Sequence, residues 1–202
     1  DLNSGLNISR STVTIQGISF SGFQKTAANE AGRGGALRTY FNAFSSVNLS
    51  DVSFLSNRAY SGGAFYNAAR STITVSGNFS AIGNIGDSGG GAVHNDGILN
   101  MSAVGSALFE NNISSGVSGI LGGGAVYNTG VIIFDSATFK DNTSLKSGGA
   151  VCNANGTLNF NGDAYFSGNT ANSNGGAMFF IGEAAKVELS VLNRFWILSV
   201  LR

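Results

Sequence analysis

Few residues in this sequence could carry out chemistry, and they are scattered singly. The 202 residues include 11 acidic side chains, one histidine, His94, and one cysteine, Cys152. Asp96 lies two positions after His94, which makes this pair the nearest approach to a polar site. The chain lacks the paired carboxylates of acid–base catalysis, the spacing of metal ligands and an activated nucleophile. We therefore predict no catalytic residue, no cofactor and no metal site, and we interpret His94 as structural.

Charge and glycine patterns argue against further classes of protein. The 11 basic and 11 acidic residues cancel at pH 7 and form no basic stripe, so we predict no nucleic-acid binding. Residues 89–91 and 122–124 are glycine triplets, but neither is followed by the Lys-Ser or Lys-Thr of a phosphate-binding loop. No signal peptide is visible, and no apolar stretch is long enough to span a bilayer. We predict no transmembrane segment.

The elements that must position these residues come from a repeat. Gly-Gly-Ala recurs at intervals of 25 to 33 residues, a period typical of stacked repeats. Its copies begin at Gly34, Gly62, Gly90, Gly123, Gly148 and Gly175. In four copies an asparagine follows three residues after the alanine, at Asn67, Asn95, Asn128 and Asn153. Between the copies, Phe-x-x-Asn recurs at Phe54/Asn57, Phe109/Asn112, Phe139/Asn142 and Phe166/Asn169, and one copy stretches to Phe79/Asn84.

Short alternating runs join the two motifs and predict strands. Val47 and Leu49 alternate with polar residues, and Val52 and Phe54 continue the alternation after a skip of one position. Such alternation indicates strands with one buried face, and the skip indicates a bend. We predict an all-β fold over residues 1–202, a parallel β-helix solenoid of about seven coils with about three short strands each. We expect residues 182–202 to form a last coil or a cap, and the chain to be a fragment of a longer protein.

A solenoid converts repeat positions into columns. We predict an inward phenylalanine column of Phe20, Phe54, Phe79, Phe109, Phe139 and Phe166, with Phe195 as its last member. A second inward column follows Gly-Gly-Ala at Leu37, Phe65, Val93, Val126, Val151 and Met178. The recurrent asparagines are predicted to form ladders that hydrogen-bond the turns of neighbouring coils.

The column between the second inward column and the asparagines should face outward by alternation. It contains Arg38, Tyr66, His94, Tyr127, Cys152 and Phe179, and we call it the aromatic strip. An exposed aromatic strip is a candidate contact surface for a partner. The alternative is that large flat side chains simply stack well on a flat sheet.

Gly-Gly-Ala-hydrophobic alternating with Phe-x-x-Asn resembles the repeat of the chlamydial polymorphic membrane proteins. The resemblance spans roughly Phe20 to Phe180, although the first and last Gly-Gly-Ala lack the following asparagine. It implies a right-handed, pectin-lyase-like β-helix that is secreted or displayed on a cell surface, often with an adhesive role. These 202 residues contain no long series of amphipathic strands like those of the transporter barrel in the chlamydial proteins.

We therefore expect a non-enzymatic extracellular or cell-surface repeat domain that acts in adhesion or as a structural scaffold, with a protein or glycan partner. One alternative is a carbohydrate-active enzyme of the pectin-lyase-like type. Another is a non-catalytic structural subunit that docks through its apolar tail, residues 195–202. A carboxylate cluster in a groove would favour the enzyme, whereas a tail packed on another chain would favour the subunit.

Overall fold

The alternating segments form β-strands that pair in parallel, as the repeat predicts. The computed structural model describes residues 5–41, 44–116, 122–190 and 195–198. In chain order the strands are β1 (Leu6–Ile8), β2 (Thr12–Gln16), β3 (Ser19–Ser21), β4 (Gln24–Lys25), β5 (Leu37–Thr39), β6 (Ser46–Leu55), β7 (Arg58–Ser61), β8 (Phe65–Asn67), β9 (Thr72–Ile82), β10 (Ile85–Gly89), β11 (Val93–Asn95), β12 (Ile98–Ala103), β13 (Ala107–Glu110), β14 (Ile113–Ser114), β15 (Val126–Asn128), β16 (Val131–Phe134), β17 (Ala137–Lys140), β18 (Thr143–Ser144), β19 (Val151–Ala154), β20 (Thr157–Phe160), β21 (Ala164–Ser167), β22 (Thr170–Ala171), β23 (Met178–Ile181), β24 (Lys186–Leu189) and β25 (Phe195–Leu198). A single-turn 3₁₀ helix covers Glu30–Gly32, and the described residues contain no α-helix.

Three sheets form the walls of a β-solenoid of about six turns, which confirms the predicted parallel β-helix with one turn fewer than expected. The first sheet has the order β1-β5-β8-β11-β15-β19-β23, and the second has the order β22-β18-β14-β10-β7-β4. The third sheet takes two strands from most coils. A coil such as β15 to β18 therefore has four strands rather than three. The extra strand, only two residues long in β18, was not predicted, because a pair of Thr and Ser residues gives no alternation signal.

The Gly-Gly-Ala motif turns the chain sharply from the second sheet into the first. Gly123 has φ of 81°, in the left-handed region that glycine adopts most readily. A Cβ on the next glycine, Gly124, would lie 1.9 Å from the carbonyl oxygen of Gly149 in the following coil. Ala125 is fully buried in the core. The motif therefore combines a corner, a close contact between coils and a small core side chain.

The phenylalanine column is confirmed over most of its length. Phe109 stacks on Phe139 with ring centroids 4.9 Å apart, and Phe139 stacks on Phe166 at 4.8 Å. Phe79 is not in register with it, because Ala81 lies between Phe54 and Phe109 in the ladder. Phe79 instead lies opposite Val52 and Ala107, and its ring centroid is 6.1 Å from that of Phe54 and 5.4 Å from that of Phe109.

The other end of the column also differs from the prediction. In the last strand Phe195 lies opposite Ala164, so Ile197 and not Phe195 continues the column beyond Phe166. Strands β24 and β25 pair with β20 and β21 and thus extend the third sheet. The rest of the predicted tail contact, residues 199–202, lies outside the described residues.

The second inward column and both asparagine ladders agree with the prediction. Val93, Val126 and Val151 are in register and fully buried. Successive asparagines along each ladder donate side-chain hydrogen bonds to one another, with distances of 2.8 to 3.0 Å in the two ladders. Thr39 takes the place of the missing first asparagine and lies 3.3 Å from the side chain of Asn67. The ladders satisfy buried polar groups at two corners of every central coil.

Candidate functional site

Strand register brings the residues of the aromatic strip together in one column on the first sheet. Arg38 lies opposite Tyr66, which lies opposite His94, and the column continues through Tyr127, Cys152 and Phe179. The ring of His94 makes edge contacts with both tyrosines, with centroids 5.0 Å from Tyr66 and 4.7 Å from Tyr127. The strip is therefore continuous in strand register, and ring contacts join its central residues, Tyr66, His94 and Tyr127.

The strip is not exposed as we expected. Tyr66 is 1% exposed and Arg38 4%, Cys152 is fully buried, and His94, Tyr127 and Phe179 are partly buried. The strip is buried to this extent because the Gly-Gly-Ala turn that precedes each of its strands in the first sheet lies close to it. A Cβ at Gly34 would lie 3.0 Å from the Cβ of Arg38, and one at Gly175 would lie 3.1 Å from the Cβ of Phe179. The strip faces away from the core, but it lies in the concave angle of the Gly-Gly-Ala turn.

A chain of polar contacts crosses the strip from coil to coil. Arg33 donates a 2.7 Å hydrogen bond to the hydroxyl of Tyr66, which donates at 2.5 Å to Oδ2 of Asp96. His94 Nε2 lies 2.9 Å from Oδ1 of Asp96, and His94 Nδ1 is hydrogen-bonded to Oγ of Ser61. His94 and Asp96, which the sequence placed two positions apart, thus form the centre of a network that joins several coils.

Asp96 is the anionic centre of this network. Burial by itself raises the pKa of Asp96, but hydrogen bonds with His94, Thr129 and Tyr66 and the charge of His94 outweigh it. The pKa of Asp96 consequently lies well below its usual range, and this carboxylate is ionised at neutral pH. The Thr129 hydroxyl, in the next coil, donates to Oδ1 of Asp96 at 2.6 Å.

Ser61, His94 and Asp96 form a hydroxyl–imidazole–carboxylate series, the set of groups that activates a nucleophile in serine hydrolases. Ser61 is only 3% exposed, and its hydroxyl also lies 3.0 Å from the backbone oxygen of Gly89. A nucleophilic oxygen must be able to reach the substrate. The buried hydroxyl of Ser61 is therefore better explained as a hydrogen-bonding group that links coils than as a nucleophile.

An open cleft lies at one end of the strip. Its volume is about 590 Å³, and its lining consists of Arg33, Arg38, Tyr40, Phe41, Tyr66 and Asp96. The guanidinium of Arg33 lies 4.8 Å from the ring centroid of Tyr66, and that of Arg38 lies 4.3 Å from the ring centroid of Tyr40. Tyr40 is 38% exposed and Phe41 is 62% exposed. Arginine and aromatic side chains thus line a solvent-accessible hollow, which we call the aromatic cleft.

In the rest of the strip Cys152 is fully buried, and Tyr127 and Phe179 are partly buried. Burial raises the pKa of the Cys152 thiol, an effect that the hydrogen bond with the backbone of Gly122 only partly offsets. The pKa of Tyr127 is raised to about 12, first by burial and then by electrostatic interaction with Cys152 and with Asp96. Among the described residues, no three His, Cys, Asp or Glu side chains lie close enough together to hold a metal ion.

Several residues of the site were not identified from the sequence. Arg33 and Ser61 immediately precede a Gly-Gly-Ala and pair with each other in a parallel bridge. Their shared position before the repeat motif is a signal that could have revealed a column next to the strip. Tyr40 and Phe41 lie in the segment after the first copy, where the repeat pattern breaks, and no periodicity marked them.

The fold and the ladders define a parallel β-solenoid repeat protein. Residues 136–154, which contain Phe139, Asn142 and the fifth Gly-Gly-Ala, match the Chlamydia polymorphic membrane protein (Chlamydia_PMP) repeat. This segment therefore matches the repeat type that the motifs predicted. Comparison with curated proteins gave no match, and comparison with solved structures gave none either. The described part of the chain contains no helix with the length and apolar character of a membrane span.

Proposed function

We propose that this chain is a non-enzymatic repeat domain, extracellular or displayed on a cell surface, that acts in adhesion. The observation that carries the proposal is the aromatic cleft, in which the exposed rings of Tyr40 and Phe41 lie in the same lining as Arg33 and Arg38. Aromatic and arginine side chains are the usual anchors of contact surfaces. The match to a repeat of polymorphic membrane proteins supports a surface location.

The scaffold supports binding because it holds the cleft in place before a partner arrives. Asparagine ladders and stacked phenylalanines tie each coil to its neighbours, so little ordering remains to be done on association. The cleft itself draws Arg33, Tyr66 and Asp96 from three successive coils and links them by hydrogen bonds. A preorganised surface of this kind suits a binding domain.

The competing hypothesis is a carbohydrate-active enzyme of the pectin-lyase-like type. The described cleft has one carboxylate, Asp96, whose two oxygens accept hydrogen bonds from neighbouring side chains. Among the described residues of the lining, a second carboxylate that could act as its partner is not found. We therefore favour binding without turnover.

The proposal is tested by attachment of the purified chain to an array of glycans and matrix proteins. Tyr40→Ser removes a cleft ring that is 38% exposed, and Tyr165→Ser is the matched control, since Tyr165 is 40% exposed outside the cleft lining. We expect Tyr40→Ser to weaken attachment at least tenfold and Tyr165→Ser to leave it unchanged.

Two results would count against adhesion through this cleft. One is equal attachment of the parent and both variants. The other is release of unsaturated or reducing sugars when the chain is incubated with polyuronate, which would establish the enzyme instead.

A further inference from the structure

The connections that lead from the first sheet into the third stack on one another at a corner of the solenoid. Tyr40 donates its backbone N–H to the oxygen of Ile8, and Thr72 donates to the oxygen of Ser45, so the first three connections are neighbours. They cover residues 9–11, 40–45 and 68–71. The middle connection has six residues, against three and four in the connections beside it. It therefore contains more chain than the stacking of coils requires.

This longer connection carries two phenylalanines that face water. Phe44 is 73% exposed and Phe41 is 62% exposed, the highest values among the large apolar side chains of the described residues. The guanidinium of Arg70, in the next coil, lies 5.7 Å from the ring centroid of Phe44. Single apolar side chains on a surface are ordinary, but a pair beside a cation indicates a contact surface.

Two exposed arginines flank the phenylalanines. Arg10 lies in the connection before them and Arg70 in the connection after them. Neither arginine forms an ion pair within the described part of the chain, whereas Arg58 is paired with Asp87. The three connections contain no acidic residue. Both guanidinium groups are therefore available to an outside anion, and we call Arg10, Phe41, Phe44 and Arg70 the Arg–Phe corner.

The size of the corner argues against a protein as its partner. A phenylalanine side chain buries ~150–250 Å² when it is covered completely, so the exposed parts of these two rings offer roughly 200–350 Å². A specific protein interface buries about 800 Å² on each partner. The corner by itself offers too little apolar surface for such an interface.

A lipid bilayer requires no such area and no matching pocket. Apolar rings enter the boundary between headgroups and acyl chains, and arginines beside them remain at the level of the headgroups. Anionic lipids attract basic side chains that lie near the membrane surface. A few protruding rings between cations are therefore enough for a peripheral contact.

We propose that the Arg–Phe corner docks on the surface of a bilayer that contains anionic phospholipid. Phe41 and Phe44 enter the boundary between headgroups and acyl chains, and Arg10 and Arg70 lie against lipid phosphates. The contact is separate from adhesion through the aromatic cleft, because both arginines and Phe44 lie outside the cleft lining.

Flotation of the whole purified chain with lipid vesicles tests this inference. One set of vesicles contains phosphatidylcholine and phosphatidylglycerol in equal parts, and the other contains phosphatidylcholine alone. We expect at least about tenfold stronger partition onto the anionic vesicles, because each arginine near an anionic surface contributes about fivefold. Added salt should reduce this preference. Equal partition onto both sets, or no partition onto the anionic set, would overturn the inference.

Variants locate the contact on the protein. Phe44→Ser removes one ring, and Tyr165→Ser is the matched control, because Tyr165 is an exposed aromatic residue on the third sheet. Arg70→Gln removes one charge, and Arg58→Gln changes the net charge equally at the ion pair with Asp87. We expect Phe44→Ser to weaken partition about tenfold and Arg70→Gln about fivefold, with both controls unchanged. All four positions are exposed, so the melting temperatures should stay the same.

Fluorescence tests whether the ring at position 44 enters the lipid. The chain has one tryptophan, Trp196. Phe44→Trp combined with Trp196→Phe places the only indole at the Arg–Phe corner. Its emission should shift to shorter wavelength when anionic vesicles are added, while the emission of the parent chain should not shift. An unchanged emission of the double variant would show that this position stays in water, and the inference would be wrong.

Two further results would assign the corner differently. If oligoglutamate binds in a manner that depends on Phe44 and Arg70 while vesicles do not bind, the corner recognises an acidic peptide and the inference is wrong. If the parent and Phe44→Ser partition equally onto anionic vesicles, the attraction comes from charge alone and the inference is also wrong. Neither result bears on adhesion through the aromatic cleft, which Tyr40→Ser tests separately.

Discussion

Replacement of Asn112 with alanine interrupts an asparagine ladder at its centre. Oδ1 of Asn112 accepts hydrogen bonds from the backbone and side-chain nitrogens of Asn84, both at 3.0 Å. Its Nδ2 donates to the backbone oxygen of Ala81 at 2.9 Å and to Oδ1 of Asn142 at 2.9 Å. Asn112 is fully buried, so bulk water does not reach these groups in the folded chain.

The expected loss in the free energy of unfolding follows from the polar groups that lose a hydrogen-bond partner. The alanine variant leaves the backbone N–H of Asn84, one of its amide hydrogens and the oxygen of Ala81 without their present partners. A buried polar group left unsatisfied costs about 1–3 kcal/mol, and a water that enters the vacated space recovers part of it. We expect the free energy of unfolding to fall by about 3–5 kcal/mol, a large fraction of the ~5–15 kcal/mol of a typical domain.

Urea unfolding followed by far-ultraviolet circular dichroism measures this loss by linear extrapolation. Asn48→Ala is the matched control, because Asn48 is exposed on a strand of the third sheet. Its free energy of unfolding should change by less than about 0.5 kcal/mol. If the two variants unfold at the same urea concentration, the ladder hydrogen bonds contribute nothing net and our reasoning is refuted.

Asn112→Asp separates hydrogen bonding from shape. The aspartate keeps the size and the acceptor but places a second oxygen toward the oxygens of Ala81 and Asn142. Burial and these oxygens raise the pKa of the folded-state carboxyl above its unfolded value of about 3.9. The variant should therefore be least destabilised below about pH 4 and should lose stability as the pH rises through the folded-state pKa. A pH-independent deficit would contradict this account.

Three further predictions test other parts of the molecule. Phe139→Ala should lower the free energy of unfolding by about 3–5 kcal/mol, because Phe139 is fully buried between two stacked rings. In the same urea assay Phe44→Ala, at a position 73% exposed, should change the free energy of unfolding little. Gly124→Ala should destabilise the fold by roughly 3 kcal/mol or more, because its Cβ would lie 1.9 Å from a carbonyl oxygen of the next coil. Gly105→Ala, with open space around the new Cβ, should be tolerated. Equal melting temperatures of the two variants would disprove the packing argument. The Tyr127 phenol should ionise near pH 12, and the increase in absorbance at 295 nm that reports this ionisation should be missing in Tyr127→Phe. Because the folded-state pKa of Tyr127 is raised, the stability that the phenol provides is present below pH ~10 and is lost as the pH rises toward 12.

The repeat made much of the fold predictable. Residues at equivalent repeat positions lie above one another when coils stack in parallel, so the period of Gly-Gly-Ala and Phe-x-x-Asn already contains the register. Asn95 above Asn128 and Phe109 above Phe139 could therefore be placed correctly from spacing alone. Phe79 could not, because the choice between Phe79 and Ala81 depends on how much space the neighbouring rings leave.

The site depended on the tertiary structure. Alternation along the sequence correctly turned Tyr66 away from the core, but it could not show that Arg33 and the Gly-Gly-Ala corner cover this side chain. Arg33, Tyr66 and Asp96 are about thirty residues apart in sequence, and no pattern of their types relates them. Local sequence determines which way a strand residue points, because side chains alternate between the two faces of a strand. The groups that surround it come from other coils and from the angle of the corner, and these are set only when the whole chain is stacked.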